Sequence, residues 1–225
     1  MDGSVAVRFF RSRFRSAGDI ERAHYEKKYL KSALDFHGVN LPFVRKAAAE
    51  FVRAHELDAA SLRSVTEALF DTNFHDLRSA GIAVLERRRE LLALGDVPWL
   101  LELVRKSPGW AHVDWLAIKV IGPTVQNQRT MPRLLRTWSR DEDFWVRRTA
   151  LLAQHDALRA GGGDFGLFEE MATPLLDETE FFIRKAIGWV LRETSKKSPD
   201  LVRAFVAKHR ERMSGLTLRE ASKYI

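Results

Sequence analysis

Apolar residues recur at helical spacing along most of the chain. Val7, Phe10 and Phe14 form a first stripe, and a second runs from Tyr25 to Leu34. Stripes with residues three and four apart predict amphipathic α-helices. Runs that alternate apolar and polar residues are nearly absent, so no strands are expected. We therefore predict an all-α fold of roughly a dozen helices in antiparallel pairs.

One short phrase recurs six times: an aliphatic residue, a charged residue, then two or three positions to a small residue. Its copies begin at Val44, Leu77, Val113, Val146, Ile183 and Leu218, so the spacings are 33, 36, 33, 37 and 35 residues. A period in the mid-thirties with two helical segments per unit is typical of HEAT-type α-solenoids. We predict one domain over residues 1–225, with N-terminal helices in 1–40 and repeats in 41–225. The predicted shape is a right-handed solenoid of about six HEAT-like repeats with a concave basic groove.

Helix boundaries follow from acids, prolines and glycines. Asp143 and Glu180 come shortly before copies of the phrase, where a helix N-terminus favours a carboxylate. The run 161–163 is three glycines and predicts a flexible connector. Prolines are expected at inter-helix turns or helix starts; they are Pro42, Pro98, Pro132, Pro174 and Pro199.

Charge adds a candidate partner. Thirty-seven basic and 30 acidic side chains give a net charge of +7 and a pI of about 9.9. That balance favours nucleic acid, although many proteins are mildly basic for solubility alone. Cysteine is absent, which excludes disulfides and thiolate metal sites, and the seven histidines show no metal-site spacing. Without a secretory signal or an apolar run of membrane-spanning length, a cytoplasmic monomer near the nucleoid is expected.

The phrase also predicts a basic track, because residues directly after its charged position should repeat on one surface. These residues are Lys46, Ser79, Trp115, Arg148, Lys185 and Glu220. A track of this kind suits a nucleic-acid backbone. The repeated arginines before them are equally explained as packing residues that pair with neighbouring repeats, whereas we favour a functional role for Arg148 and Lys185. In the first stripe, Arg8, Arg11, Arg13 and Arg15 fit either phosphate contact or a solvated face.

The middle copy departs from the others in the sign of its charge. Five copies carry Arg after the aliphatic residue, and the third carries Asp114. Trp110 lies four residues earlier and so shares a helix face with Asp114. Trp189 and Arg148 occupy matching stripe positions in later copies, which predicts that two indoles, a carboxylate and a guanidinium face the groove. Each of the four also has a packing interpretation, and His112 faces either this site or the opposite side of the helix.

The stretch 180–193, the segment Phe144-Trp145-Val146-Arg147-Arg148 and the Trp110 and Asp114 pair resemble the AlkD-type DNA alkylation-repair family, whose members are DNA glycosylases built from HEAT-like repeats. The resemblance covers roughly residues 20–225 and is most specific in the stretch 180–193. Its other motifs are Tyr29-Leu30-Lys31, Gly38-Val39, Pro42, Ser198-Pro199-Asp200 and Leu218-Arg219-Glu220-Ala221.

The resemblance implies hydrolysis of the N-glycosidic bond of cationic N3- or N7-alkylated purines in double-stranded DNA. Expected substrates include 3-methyladenine, 7-methylguanine and bulky adducts. Asp114 is the implied catalytic carboxylate, and Trp110 and Trp189 hold the lesion nucleotide without base flipping. Arg148 contacts the backbone nearby and Tyr29 lies near the lesion. No cofactor or metal is implied.

The full set of predicted DNA-binding residues is Tyr29, Lys46, His112, Trp115, Lys185 and Arg192. Where family members often carry an acid after the first tryptophan, this chain has Ala111-His112. Two other classes of function remain open at this point. One is a non-catalytic HEAT-repeat module that binds DNA or RNA by shape and charge, and the other is a scaffold whose basic face binds an acidic protein.

Overall fold

A computed structural model describes all 225 residues. The chain is helical throughout, with no strand and one isolated β-bridge between Asp35 and Phe74. The prediction of an all-α fold is therefore confirmed. The chain divides into two compact units, Met1–Trp115 and Leu116–Ile225. The single domain, the right-handed solenoid and the concave groove stay predictions.

The first unit contains seven α-helices. They are α1 (Gly3–Ala17), α2 (Ile20–Leu30), α3 (Leu41–Ala54), α4 (Ala59–Phe70), α5 (His75–Arg87), α6 (Val97–Arg105) and α7 (Trp110–Trp115). Short 3-10 turns lie at Arg89–Leu91 and Leu94–Asp96. α1 packs on α4, and α5 packs on both α3 and α4. The core between them is dominated by buried aromatic side chains such as Phe10, Phe14 and Phe51.

The second unit begins with a π-helical segment, Leu116–Ile121. Its α-helices are α8 (Gly122–Val125), α9 (Met131–Trp138), α10 (Phe144–Leu152), α11 (His155–Arg159), α12 (Phe165–Leu175), α13 (Phe181–Ser195), α14 (Pro199–His209) and α15 (Gly215–Ala221). Two 3-10 turns lie at Arg210–Arg212 and Ser222–Tyr224. α13 is central, since α10, α11, α14 and α15 all pack on it. No helix of the chain is both long enough and apolar enough to span a membrane.

Each copy of the repeated phrase lies near the start of a helix, as predicted. The helices are α3, α5, α7, α10, α13 and α15. The aliphatic residue faces the interior in five copies: Val44, Leu77, Val113, Val146 and Ile183 are at most 2% exposed. The phrase therefore encodes the buried face of one helix in each repeat.

The repeated arginines have a common structural contact in three copies. Arg78 Nε donates to the Thr72 carbonyl at 3.0 Å, and Arg147 Nη1 donates to the Asp141 carbonyl at 2.7 Å. Arg184 Nε donates to the Glu178 carbonyl at 2.6 Å. In each pair the acceptor is six residues earlier and follows the end of the preceding helix, where carbonyls lack intrahelical partners. For these three arginines the packing interpretation is thus supported.

Arg184→Ala is expected to lower the free energy of unfolding by about 1–2 kcal/mol, because a charged donor to a main-chain carbonyl is lost. Binding to undamaged duplex DNA should keep its salt dependence. Urea denaturation and a salt titration measure the two quantities. Arg219→Ala is the matched control, since Arg219 holds the same phrase position but is exposed. A reduced salt slope in the Arg184 variant would instead indicate a phosphate contact.

Most boundary predictions are confirmed. The Asp143 carboxylate accepts from the Trp145 N–H at 2.8 Å, and Glu180 accepts from the Phe182 N–H at 3.1 Å. Four of the five prolines lie in the first turn of a helix. Pro174 was placed wrongly, because it lies inside α12. Pro174 removes one main-chain hydrogen bond of α12, but because the helix ends at Leu175, almost no helix follows the distortion.

Candidate functional site

The residues predicted to carry chemistry in the first unit lie on the short helix α7. Trp110 is its first residue and Asp114 follows one turn later, and both are partly exposed. Directly after Trp115 the main chain takes the π-helical form, which often marks functional positions. The predicted Trp110 and Asp114 pair is thus presented from adjacent turns of one helix.

Trp110 belongs to an aromatic surface made of Tyr25, Tyr29 and Trp110. The Tyr29 ring meets the Trp110 indole edge-on with centroids 6.2 Å apart. The rings of Tyr25 and Tyr29 are stacked, with centroids 6.1 Å apart and an interplanar angle of 4°. Tyr25 is 69% exposed and Tyr29 is 62% exposed. Tyr29 was predicted to lie near the lesion, but Tyr25 was missed as a functional candidate. Its spacing of four from Tyr29 was the available signal, and the pattern alone could not say which face of α2 is exposed.

His112 faces the interior of the unit. It is 2% exposed, and its Nε2 lies 3.0 Å from Ser79 Oγ and 3.2 Å from the His75 carbonyl oxygen. A carbonyl can only accept, so the Nε2 of His112 carries the proton. Burial lowers the pKa of His112 well below its usual value, so the ring is neutral. The prediction that His112 contacts DNA is not supported, and the alternative, the opposite side of the helix, is where the ring lies.

His75 stacks on His112 with ring centroids 4.2 Å apart, and burial lowers the pKa of His75 to about 4. A cavity of about 10 Å³ lies beside this pair, between the end of α2 and the start of α7. Its lining includes Leu30, Pro108 and Trp110. A volume of this size holds about one water molecule.

Trp115 and Lys46, both predicted to contact DNA, differ in how they are held. The Trp115 Nε1 donates to Glu86 at 2.7 Å, and the Arg45 guanidinium lies 5.0 Å from the indole centroid. Arg45 also pairs with Glu86 at 3.3 Å, which closes a small polar cluster on the surface. Lys46 is exposed and makes no ion pair. Of the two, Lys46 is the one available to a phosphate.

In the second unit, Trp189 and Arg148 are both held by neighbouring side chains. Trp189 is partly buried against the core, and its ring lies 4.6 Å from that of His155. Arg148 is 3% exposed, donates from Nη1 to the Phe182 carbonyl and lies 5.8 Å from the Phe182 ring centroid. Arg148 therefore has the structural contacts of a packing residue, contrary to our expectation that packing would explain it poorly. Its contact with DNA stays a prediction.

Lys185 and Arg192 converge on Glu220. Lys185 Nζ lies 2.9 Å from Glu220 Oε1, and Arg192 Nη1 donates to Oε2 of the same carboxylate. Burial would raise the pKa of Glu220, but the hydrogen bond from Lys185 and the nearby positive charges outweigh it and hold that pKa below its usual value. The two predicted DNA-binding side chains thus share one carboxylate, which offsets part of their positive charge. Their contacts with DNA also stay predictions.

No group of three or more His, Asp or Glu side chains has a geometry that could hold a metal ion. The sequence of this helical chain matches the model of the DNA alkylation repair enzyme family over residues 10–225. The chain belongs to that family. The resemblance identified from the Trp110, Asp114 and 180–193 motifs is therefore confirmed.

Solved structures agree with the family assignment. A predicted DNA alkylation repair enzyme from Enterococcus faecalis superposes with a TM-score of 0.83 at 26% identity, covering 92% of this chain and 96% of that one. AlkD2 from Streptococcus mutans superposes with a TM-score of 0.64 at 17% identity, covering 83% and 91%, and so shows a shared fold. No curated protein sequence matches the chain. As a member of the DNA alkylation repair enzyme family, the protein acts in repair of alkylation damage and has DNA as its partner.

Proposed function

We propose that this alkylation repair enzyme is a DNA glycosylase. It hydrolyses the N-glycosidic bond of cationic N3- or N7-alkylated purines in double-stranded DNA, such as 3-methyladenine, 7-methylguanine or bulkier adducts. The observation that carries the proposal is the placement of Asp114 one helical turn from Trp110, whose indole meets the exposed Tyr29 ring. A carboxylate beside an exposed aromatic surface, in a protein of net charge +7, suits a cationic group within a polyanion.

The chemistry needs few groups. An alkylated purine already carries positive charge, so it leaves without a general acid. Bond cleavage leaves oxocarbenium character on the deoxyribose, which the Asp114 carboxylate stabilises while it positions or deprotonates the attacking water. The indole face of Trp110 attracts the same developing cation through its quadrupole. No cofactor or metal takes part in this proposal.

The proposal includes retention of the lesion within the duplex. Many base-modifying enzymes extrude their target into a fitted pocket. The cavity beside Trp110 holds about one water molecule, which supports a grip on the sugar and phosphate instead of the base. An open surface of this kind also accommodates bulky substituents on the purine.

Further roles are proposed for other residues, those of Trp189 and Arg148 from the family resemblance and the others as predicted DNA-binding residues. Trp189 holds the lesion nucleotide and Arg148 contacts the nearby backbone. Lys46, Trp115, Lys185 and Arg192 contact DNA phosphates. Among the four, the exposed and unpaired Lys46 is best supported by its surroundings.

Release of 7-methylguanine from a duplex tests the proposal. Purified protein in excess over a labelled duplex should release the free base at a rate above that of spontaneous depurination. Binding of the same duplex is measured in parallel. Binding without release would instead favour a non-catalytic module that recognises DNA by shape and charge. Absence of any salt dependence in binding would contradict both, because phosphate neutralisation releases counterions.

Tyr25→Ala should weaken binding to the lesion duplex by about tenfold, since aromatic contacts to a nucleotide contribute about 1–3 kcal/mol. The rate at saturating enzyme should change little, because Tyr25 lies one ring further from Asp114 than Tyr29 does along the aromatic surface. Single-turnover rates over a range of enzyme concentrations separate the two effects. Tyr25→Phe should retain binding, and Tyr224→Ala removes another exposed ring, from the second unit, as a control. If Tyr25→Ala bound the lesion duplex with wild-type affinity, Tyr25 would not contribute to DNA binding.

A further inference from the structure

Helix α1 has one buried apolar face and one exposed, mostly polar face. Gly3, Ala6, Phe10 and Phe14 are buried, and α1 packs on α4 through this side. At 100° per residue, Arg8, Arg11 and Arg15 lie together on the opposite side. The buried phenylalanines therefore fix the direction in which these three arginines project.

The three arginines line a shallow, solvent-open depression on α1. Its remaining polar lining residues are Ser12 and Ser16. The 15 residues of α1 contain no Asp or Glu. The N-cap residue Asp2 precedes the helix, and its two carboxylate oxygens accept from the Ser4 N–H at 2.9 Å and the Ser4 hydroxyl at 2.7 Å. We call the three arginines and two serines the α1 basic stripe.

The arginines of the α1 basic stripe make no ion pair, although several surface arginines elsewhere in the protein do. Within the same helix, Arg13 pairs with Glu50 at 2.7 Å, and on α9 Arg136 makes a two-pronged contact with Glu170. Arg8 donates to the Ser4 hydroxyl at 3.2 Å and its charge interacts with that of Asp2 without forming an ion pair, and Arg15 makes no hydrogen bond or ion pair. Arg11 also lacks a partner, although its Nε is buried from solvent.

We propose that the α1 basic stripe is a second DNA-binding surface that takes backbone phosphates, separate from the residues of α7. Arg8 and Arg15 are about 10 Å apart along the helix axis, a length over which one strand of B-DNA carries about three phosphates. Guanidinium groups present paired donors that match phosphate oxygens, and serine hydroxyls add further donors. The inference requires DNA as partner but does not depend on glycosidic bond cleavage.

The packing of α1 argues against the other polyanions. An amphipathic helix that binds an anionic membrane inserts its apolar face into the lipid. The apolar face of α1 is already buried against α4 inside the protein. A protein partner would be expected to use aromatic or aliphatic anchors as well as charge. The depression offers only Val7 as an apolar lining residue.

A salt titration of binding to undamaged duplex tests the proposal. The variant Arg8→Gln/Arg11→Gln/Arg15→Gln should bind more than tenfold more weakly at low salt, and the slope of log affinity against log salt should fall by about 2–3, at about 0.9 per phosphate contact. Arg13→Gln removes a positive charge from the same helix outside the stripe and should leave the slope unchanged. The helical CD signal and urea midpoint of both variants verify that the fold is kept.

Two further measurements separate the outcomes. Single-turnover release of 7-methylguanine at saturating enzyme should be the same in the triple variant and wild type, since the stripe lies outside α7. An unchanged salt slope and affinity in the triple variant would overturn the proposal, whether or not the protein is a glycosylase. Loss of binding to phosphatidylserine vesicles with intact DNA binding would also overturn it and assign the stripe to a membrane surface.

Discussion

Asp114→Asn is expected to reduce release of 7-methylguanine by about 100- to 1,000-fold, the range found when one preorganised electrostatic stabiliser is removed. The substitution keeps the side chain's shape and removes its negative charge. The developing positive charge on the deoxyribose then has no carboxylate beside it, and water loses its base. Single-turnover release from a lesion duplex, with protein in excess, measures the chemical step.

Duplex affinity should not fall in Asp114→Asn, because removal of a negative charge from the helix that we propose to face DNA lowers charge repulsion. Asp200→Asn is the matched control, since Asp200 is an exposed aspartate at the start of α14 and its loss should leave release unchanged. If the Asp114 variant released 7-methylguanine at a rate within a few-fold of wild type, Asp114 would not be the catalytic carboxylate. The glycosylase would then need another carboxylate.

The repeated phrase explains how much of the site is readable from sequence. Its period predicts the helices, and its aliphatic residue predicts the buried face, because burial requires only a position on the helix. The one copy with reversed charge singles out Asp114, and the spacing of four adds Trp110. Both turn out partly exposed on the same short helix, as the periodicity predicts.

The contacts of long side chains were not predictable in the same way. Arg78, Arg147 and Arg184 could have pointed to phosphates or to protein, and the choice depends on carbonyls left free where the preceding helix ends. Those carbonyls are free because each preceding helix ends there, and the sequence pattern does not give that end to the residue. Arg148 illustrates the same point, because the Phe182 carbonyl that binds it comes from the next repeat. The position of an arginine in the repeat thus predicts where its Cα lies on the helix, but it does not predict which group its guanidinium contacts.

Partner contacts also separate the arginines by function. Those that meet helix-end carbonyls stabilise the repeats, and those paired with acids, such as Arg13, are largely neutralised on the surface. Arg8, Arg11 and Arg15 make no ion pair and donate to no main-chain carbonyl, although they occur in a helix whose core packing is well defined. Charge that a fold leaves uncompensated on a rigid face is the kind that contributes to binding a polyanion.

Gly38→Ala is expected to have the largest effect on stability, lowering the free energy of unfolding by about 2–5 kcal/mol from left-handed backbone strain plus overpacking. Gly38 has φ of +80°, which disfavours any side chain. A Cβ there would lie 1.9 Å from the Asp19 carbonyl oxygen and 2.9 Å from the Ala23 nitrogen, both main-chain atoms. The segment before α3 therefore passes against the start of α2 only if residue 38 is glycine.

Urea denaturation of Gly38→Ala measures the loss. Gly95→Ala is the matched control, because a Cβ at Gly95 meets no atom within 4 Å and should change stability by no more than about 0.5 kcal/mol. The close approach also positions α2, which carries Tyr25 and Tyr29. Weaker binding of the lesion duplex should therefore accompany the lost stability, even under conditions where the variant is folded. A variant as stable as wild type would mean that the chain between α2 and α3 can take another path, and the placement of the aromatic surface would no longer depend on Gly38.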